Sequence, residues 1–264
     1  MSMREKRYKV FIDGRAGTTG LRIEGCLEGR DDIALVAIDE ELRKDMDTRL
    51  ACIAEADISF LCLPDAEARA VAAAAPEHAR LIDASTAHRT QAGWLYGLPE
   101  LDQGRRARLR DARRVALPGC HASGFILLVR PLVDAGVIPP DYPFAFHSVT
   151  GYSGGGKAMI ADYEAAAEAG AGSPGLAAPR LYALTQGHKH LPEMVLYAGL
   201  AETPVFTPHV AAFYSGLSVV VPLHGRLLRG GAGIAAVHEI LARRYRGERL
   251  VRVLPPGTDP EAGY

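Results

Sequence analysis

Tyr8-Lys9-Val10-Phe11-Ile12-Asp13-Gly14-Arg15-Ala16-Gly17-Thr18-Thr19-Gly20 is a short run of β-forming apolar residues that ends in a glycine turn. It passes directly into a helical pattern at Leu21, Ile23, Cys26 and Leu27. Strand, glycine turn and helix in that order open a dinucleotide-binding fold. The glycines are spaced G-x-x-G-x-x-G, one residue wider at the front than the usual G-x-G-x-x-G fingerprint. The spacing alone is weak; the context gives it weight, because glycines between a strand and a helix let the backbone approach a pyrophosphate while the helix N-terminus supplies donors. Gly14, Gly17, Thr18, Thr19 and Gly20 are therefore expected to bind a cofactor.

The same texture continues outward. Strands are predicted at 33–38, 58–63, 81–84 and 115–117, with helices near 48–56 and 65–75, and the alternation argues for a parallel sheet covered by helices. From residue 144 the β-rich runs lengthen, at 144–150, 205–213 and 217–223, with helices near 157–169 and 235–245. That pattern predicts an antiparallel or mixed sheet with helices on one side. The expected fold class is α/β: a Rossmann-type parallel-sheet domain, 1–118, followed by an α+β domain, 119–264.

Composition sets the class of partner. The 264 residues are 48% hydrophobic and 23% charged, with 30 basic against 31 acidic side chains and a formal net charge of -1. No global field draws nucleic acid or an anionic membrane, so small molecules are the expected partners. The basic stretch 105–114 reads as a solvated helix face. No apolar run reaches membrane-spanning length and the N-terminus lacks a signal-peptide pattern, which places the chain in the cytoplasm by default. Cys26, Cys52 and Cys62 have no C-x-x-C spacing and read as packing residues.

Cys120 differs from these three. In Leu117-Pro118-Gly119-Cys120-His121-Ala122-Ser123-Gly124 it opens a predicted helix, where unpartnered backbone N–H groups favour a thiolate. Placed at the expected domain boundary, it is a candidate nucleophile. In Gly187-His188-Lys189-His190-Leu191-Pro192-Glu193 two histidines two residues apart point the same way if the segment is extended. Histidine takes a proton from a thiol and returns it to an alkoxide near neutral pH. Metal binding is the rival reading of the pair, but no third ligand is evident in the sequence. His78, His88 and His224 read as structural or exposed. Thr150-Gly151-Tyr152-Ser153-Gly154-Gly155-Gly156-Lys157 is a glycine-rich turn between a strand and a helix. It is closer to an anion nest than to a Walker loop, since no Ser or Thr follows Lys157. Past the second strand, Asp39, Glu40 and Glu41 suit a free ribose 2′-hydroxyl, whereas Arg43 and Lys44 suit a 2′-phosphate; the residues leave that choice open.

Taken with Phe60-Leu61-Cys62-Leu63-Pro64-Asp65, Asp83-Ala84-Ser85-Thr86-Ala87-His88-Arg89 and Tyr96-Gly97-Leu98-Pro99-Glu100, these motifs resemble, in order, the N-acetyl-gamma-glutamyl-phosphate reductase family, in its shorter, second type. The resemblance implies an NADP-linked step of arginine biosynthesis on an acyl phosphate or semialdehyde and phosphate. It also implies a second domain of the glyceraldehyde-3-phosphate dehydrogenase-like kind that catalyses and builds a homo-oligomer. It makes Cys120 the nucleophile and one of His188 and His190 the acid-base group, with His209 a lesser candidate. It places Ser153, Gly154, Lys157 and Glu193 on the substrate, and adds Arg43, Lys44, Pro64 and Ser85 to the cofactor residues. One departure accompanies it: the family continues past a strand corresponding to 250–254 into an Asn-x-Gly-Lys-Gly-Ala-Ser-Gly type segment that this sequence does not carry. Rival readings are an aspartate-semialdehyde dehydrogenase-like enzyme, a Cys-His hydrolase or acyltransferase, and a shortened, silent paralogue that only binds.

Overall fold

The computed structural model describes residues 8–168 and 174–258. The chain divides into two compact units, one running to Leu98 and including Arg106–Pro118, the other made of Pro99–Arg105 with the chain from Gly119 onward.

In the first unit β1 (Tyr8–Asp13), α1 (Thr18–Leu27), β2 (Ile33–Val36), α2 (Met46–Glu55), β3 (Ile58–Leu61), α3 (Asp65–Ala74), β4 (Leu81–Asp83), β5 (Leu95–Tyr96), α4 (Arg105–Asp111) and β6 (Arg114–Ala116) follow one another. The strands form one sheet in the order β2-β1-β3-β4-β6-β5, with every pairing parallel. Helices on both faces explain why Val10, Phe11 and Ile12 are buried in succession rather than alternately. Phe11, Ile53, Leu61, Val71 and Leu81 fill one core cluster and Val10, Ile12 and Ile33 another. Local chemistry fixes the helix starts. The Asp45 carboxylate accepts from Thr48 N at 2.9 Å and caps α2, a device worth about 1 kcal/mol. Asp65 and Glu67 place negative charge in the first turn of α3.

In the second unit α5 (Cys120–Asp134), β7 (Ala145–Gly151), α6 (Gly156–Glu168), α7 (Pro174–Ala177), β8 (Arg180–Leu181), α8 (Leu191–Ala198), β9 (Val205–Ala211), β10 (Leu217–Val220) and α9 (Ile234–Arg244) surround a sheet of order β10-β7-β9-β8. The sheet is mixed: β7 and β9 run parallel, and β10 and β8 are antiparallel to their neighbours. Its core is aromatic, with Phe146 stacked on Phe206 at 4.5 Å and Phe125 against Phe146 at 4.4 Å. Such pairs add about 0.5–1.5 kcal/mol beyond their burial. Helix α5 lies so close to β10 that a Cβ on Gly124 would stand 2.6 Å from Val219 Cγ2. Pro131 within α5 brings no N–H to the Leu127 carbonyl four residues earlier, and the buried Tyr245 hydroxyl donates to that oxygen at 2.5 Å instead.

Two expectations need correction. Leu21 and Cys26 are exposed on α1, so only Ile23 and Leu27 of the expected apolar face pack against the sheet. No strand forms at 250–254, and Leu250 is 86% exposed. Residue 169 of the expected helix 157–169 lies outside the described residues, as do 259–264.

Candidate active site

The first unit carries a cavity of about 450 Å³ at the carboxyl ends of β1 and β3, the point where strand order reverses and ligands bind in such sheets. Gly14 sits at φ +81, and a Cβ there would fall 2.3 Å from the Cys62 carbonyl oxygen. A Cβ on Gly20 would fall 2.5 Å from Gly14 O, while Gly17 donates to Gly14 O at 2.9 Å and caps α1. The glycines thus fold the turn tightly and leave the first N–H groups of α1 at the cavity. Gly14, Gly17, Arg43, Lys44 and Pro64 line it; Thr18 and Thr19 open α1. Ser85 is placed elsewhere. Its N–H and hydroxyl both donate to Asp83, at 2.9 and 2.8 Å, and His88 Nδ1 joins the same carboxylate at 2.6 Å. Ser85, expected at the cofactor, is thus part of a hydrogen-bonded knot at the end of β4. Cys62 packs against the second cluster, and burial pushes its thiol up to about 12.

The turn at 39–45 brings acids and bases to one wall. Glu40 lines the cavity and is ion-paired with Arg43, so neither the carboxylate nor the guanidinium stands alone there. Asp13, 3% exposed, lies on the floor with Oδ1 3.4 Å from Arg49 Nε. Burial raises its pKa to about 6, against the opposing pull of Arg49 and the Gly14 N–H.

In the second unit Cys120 is exposed at the first turn of α5, with Gly119 as N-cap. Glu193 is 1% exposed, and its Oε2 accepts the Gly119 N–H at 3.0 Å. Glu193, expected on the substrate, here holds the residue before the cysteine through its carboxylate. His121 follows the cysteine and is the centre of a ring cluster, with centroids 5.4 Å from His188, 5.6 Å from His190 and 5.2 Å from Phe206. Its Nδ1 lies 2.7 Å from Ser148 Oγ and its Nε2 2.7 Å from the Tyr182 hydroxyl. Burial, then the neighbouring His188, pushes the His121 pKa down to about 4, so the ring is neutral at physiological pH. Burial and the charge on Cys120 push the Tyr182 phenol up to about 12.

The histidine pair meets in a turn rather than on an extended strand. Leu191 N donates to His188 O at 3.0 Å, His190 caps α8, and the two rings stand 4.6 Å apart. Pro192 fits the first turn of α8, and Gly199 closes that helix at φ 75. The His190 N–H donates to His188 Nδ1 at 3.2 Å, which fixes that ring nitrogen as the acceptor. His188 is half-buried and lines a shallow cavity of about 720 Å³ with Lys189, Leu191 and Pro192; His190 is 6% exposed. His209 alternates away from Phe206 on β9 and bonds Thr207 O, which puts it outside the cluster. In the glycine-rich turn Tyr152 N and Ser153 N already donate to Phe213 O and Tyr214 O, both at 2.9 Å. The nest is thus partly closed, with Gly154 and Lys157 exposed beyond it. Among the described residues no three of His, Cys, Asp and Glu gather to hold a metal, and no helix is long and apolar enough to cross a membrane.

A glycine-turn nucleotide cavity on a parallel sheet, and a cysteine in the first turn of a helix whose next residue, His121, packs against His188 and His190, are the features of the semialdehyde dehydrogenase class of oxidoreductases. The profile described as semialdehyde dehydrogenase, NAD binding domain, matches residues 14–109, and the one described as semialdehyde dehydrogenase, dimerisation domain, matches residues 120–263. Aspartate semialdehyde dehydrogenase II from Vibrio cholerae shares the fold at a TM-score of 0.63 and 18% identity, over 90% of this chain and 79% of that one. Within the class, the chain belongs to the N-acetyl-gamma-glutamyl-phosphate reductase family. It is 46% identical to N-acetyl-gamma-glutamyl-phosphate reductase 2 of Pseudomonas putida, over 96% of this chain and 82% of that protein. It is 42% identical to the enzyme of the same name from Nostoc, over 94% and 77%.

Proposed function

We propose that the protein reduces N-acetyl-gamma-glutamyl phosphate to N-acetylglutamate semialdehyde and phosphate, a step of arginine biosynthesis, with NADPH as reductant. The observation that carries this reading is the cysteine at a helix N-terminus whose next residue, His121, packs against the histidine pair, in a chain of this family. The glycine turn, packed so tightly against the Cys62 main chain that Gly14 has no room for a Cβ, brings the N-terminus of α1 to the cavity and fits a pyrophosphate, and Arg43 and Lys44 fit the 2′-phosphate of NADP. Bound there, the reduced nicotinamide supplies the hydride.

The chain's own residues do the rest. Cys120 attacks the acyl carbon and phosphate leaves, which forms a thioester. The first N–H groups of α5 favour the thiolate and stabilise the oxyanion beside it. Hydride addition to the thioester leaves a hemithioacetal on Cys120, and half-buried His188 moves the proton at its oxygen as the C–S bond breaks, releasing the semialdehyde and the thiolate. Glu193 positions the cysteine through Gly119, and Ser153, Gly154 and Lys157 hold the substrate phosphate. The chain acts in the cytoplasm as a homo-oligomer built through the second unit. Cys120→Ser tests the covalent route: phosphate-dependent reduction of NADP by N-acetylglutamate semialdehyde is expected to vanish, and retained turnover overturns it. Substrate competition separates this activity from that on aspartate semialdehyde.

A further inference from the structure

The floor of the nucleotide cavity carries a pair that the reaction does not use. Arg49, on α2, lies close to the Asp13 carboxylate, and its Nε also donates to the main-chain carbonyl of Arg43 at 2.7 Å. One guanidinium therefore joins the end of β1 to the turn that carries Arg43 and Lys44. The turn is fixed internally as well: Leu42 N donates to Asp39 O at 3.0 Å and Asp45 N to Leu42 O at 2.8 Å. Asp45 then caps α2 through Thr48. Arg49 has an 11% exposed side chain, and its Nε is turned to protein atoms, Asp13 Oδ1 and Arg43 O. Asp13 is the anion that keeps it there, since its Oδ2 is buried with no hydrogen-bond partner among the described residues and its Oδ1 faces Arg49.

We propose that Arg49, braced by Asp13, is a positioning residue that sets preference for the 2′-phosphorylated dinucleotide by holding the Arg43 carbonyl, so that Arg43 and Lys44 are presented to the cavity. The inference rests on the reading that those two side chains take the 2′-phosphate. Arginine suits the task because its planar fork holds a direction, whereas a lysine in its place keeps the charge beside Asp13 and loses the fixed Nε–H.

The test is calorimetric binding of NADP and NAD to the full chain bearing Arg49→Lys, alone and on an Arg43→Ala/Lys44→Ala background, with 2′,5′-ADP as a probe free of nicotinamide. Arg49→Lys is expected to weaken NADP and 2′,5′-ADP by roughly fivefold to tenfold, the size of one lost charge-assisted bond, and to leave NAD within twofold. On the double-alanine background the same change is expected to cost nothing further, because Arg49 acts through the side chains already removed. Equal weakening of NADP and NAD, or no change in either, overturns the brace. Additive losses overturn it too, since they mark Arg49 as a direct phosphate contact. If the double-alanine protein itself keeps its NADP preference, the 2′-phosphate reading fails first and the brace falls with it.

Discussion

The Glu193 carboxylate, on α8, accepts the N–H of Gly119, the residue immediately before Cys120, at 3.0 Å inside a fully buried contact. A bond to a buried charge spans 74 residues of chain and ties the histidine-bearing helix to the cysteine-bearing one. Glu193→Ala leaves that N–H unsatisfied and is expected to cost about 2 kcal/mol of stability in urea titration. Glu193→Gln keeps an acceptor oxygen and is expected to cost less. Equal losses for the two variants count against the bond as the cause.

The glycine turn grades its own substitutions. Gly14→Ala places a Cβ 2.3 Å from a backbone oxygen at φ +81, where neither strain nor overlap is relieved by a side-chain shift. It is expected to destabilise the first unit by more than about 2 kcal/mol and to abolish NADP binding. Gly17→Ala has an ordinary φ and its nearest contact at 3.1 Å, so binding weakens without loss of fold. Thermal unfolding with and without NADP separates the two.

His121 makes stability depend on pH. Its imidazole titrates at about 4 in the fold against 6.5 in the unfolded chain, so between those values only the unfolded chain takes up the proton. Stability is complete above about 6.5 and is lost as pH falls toward 4, by at most about 3 kcal/mol at roughly 1.4 kcal/mol per unit. His121→Gln is expected to flatten that part of the profile. An unchanged slope sinks the assignment.

Tyr245→Phe isolates one hydroxyl. The phenylalanine keeps the ring and leaves the Leu127 carbonyl, already deprived of a helical partner by Pro131, without a donor. A loss of about 1–2 kcal/mol is expected by chemical denaturation. Pro131→Ala in the same background restores an N–H at that turn and should recover part of it.

The two histidines of the pair should separate by readout. His188→Asn is expected to lower kcat by about 10²–10⁴ with little change in melting temperature, because the ring works at its exposed end. His190, buried at the start of α8, is expected to affect stability as well when replaced by alanine. Steady-state kinetics beside calorimetry checks both.

The parallel sheet was legible because strands covered on both faces read as unbroken apolar runs, and Val10 to Ile12 is such a run. The cysteine was legible from its place at a helix start. What stayed hidden were partners brought together by tertiary folding: Tyr182 and Ser148 flank His121 from distant segments, and no local spacing links them. The bond of Glu193 to the Gly119 N–H was hidden for the same reason, since a carboxylate near a motif says nothing about which distant N–H it meets. Helix α1 deceived through amphipathicity, with Leu21 and Cys26 falling on its outer side. The signal for Tyr182 was present only as a lone aromatic six residues before His188.

The single tryptophan of the chain, Trp94, is stacked on His88 with centroids 3.9 Å apart in the first unit. Indole emission is thus a private reporter for the nucleotide-binding half. Melting followed at that wavelength, set against tyrosine fluorescence, for which eight of the ten rings lie in the other half, tells whether the halves come apart in one event or two.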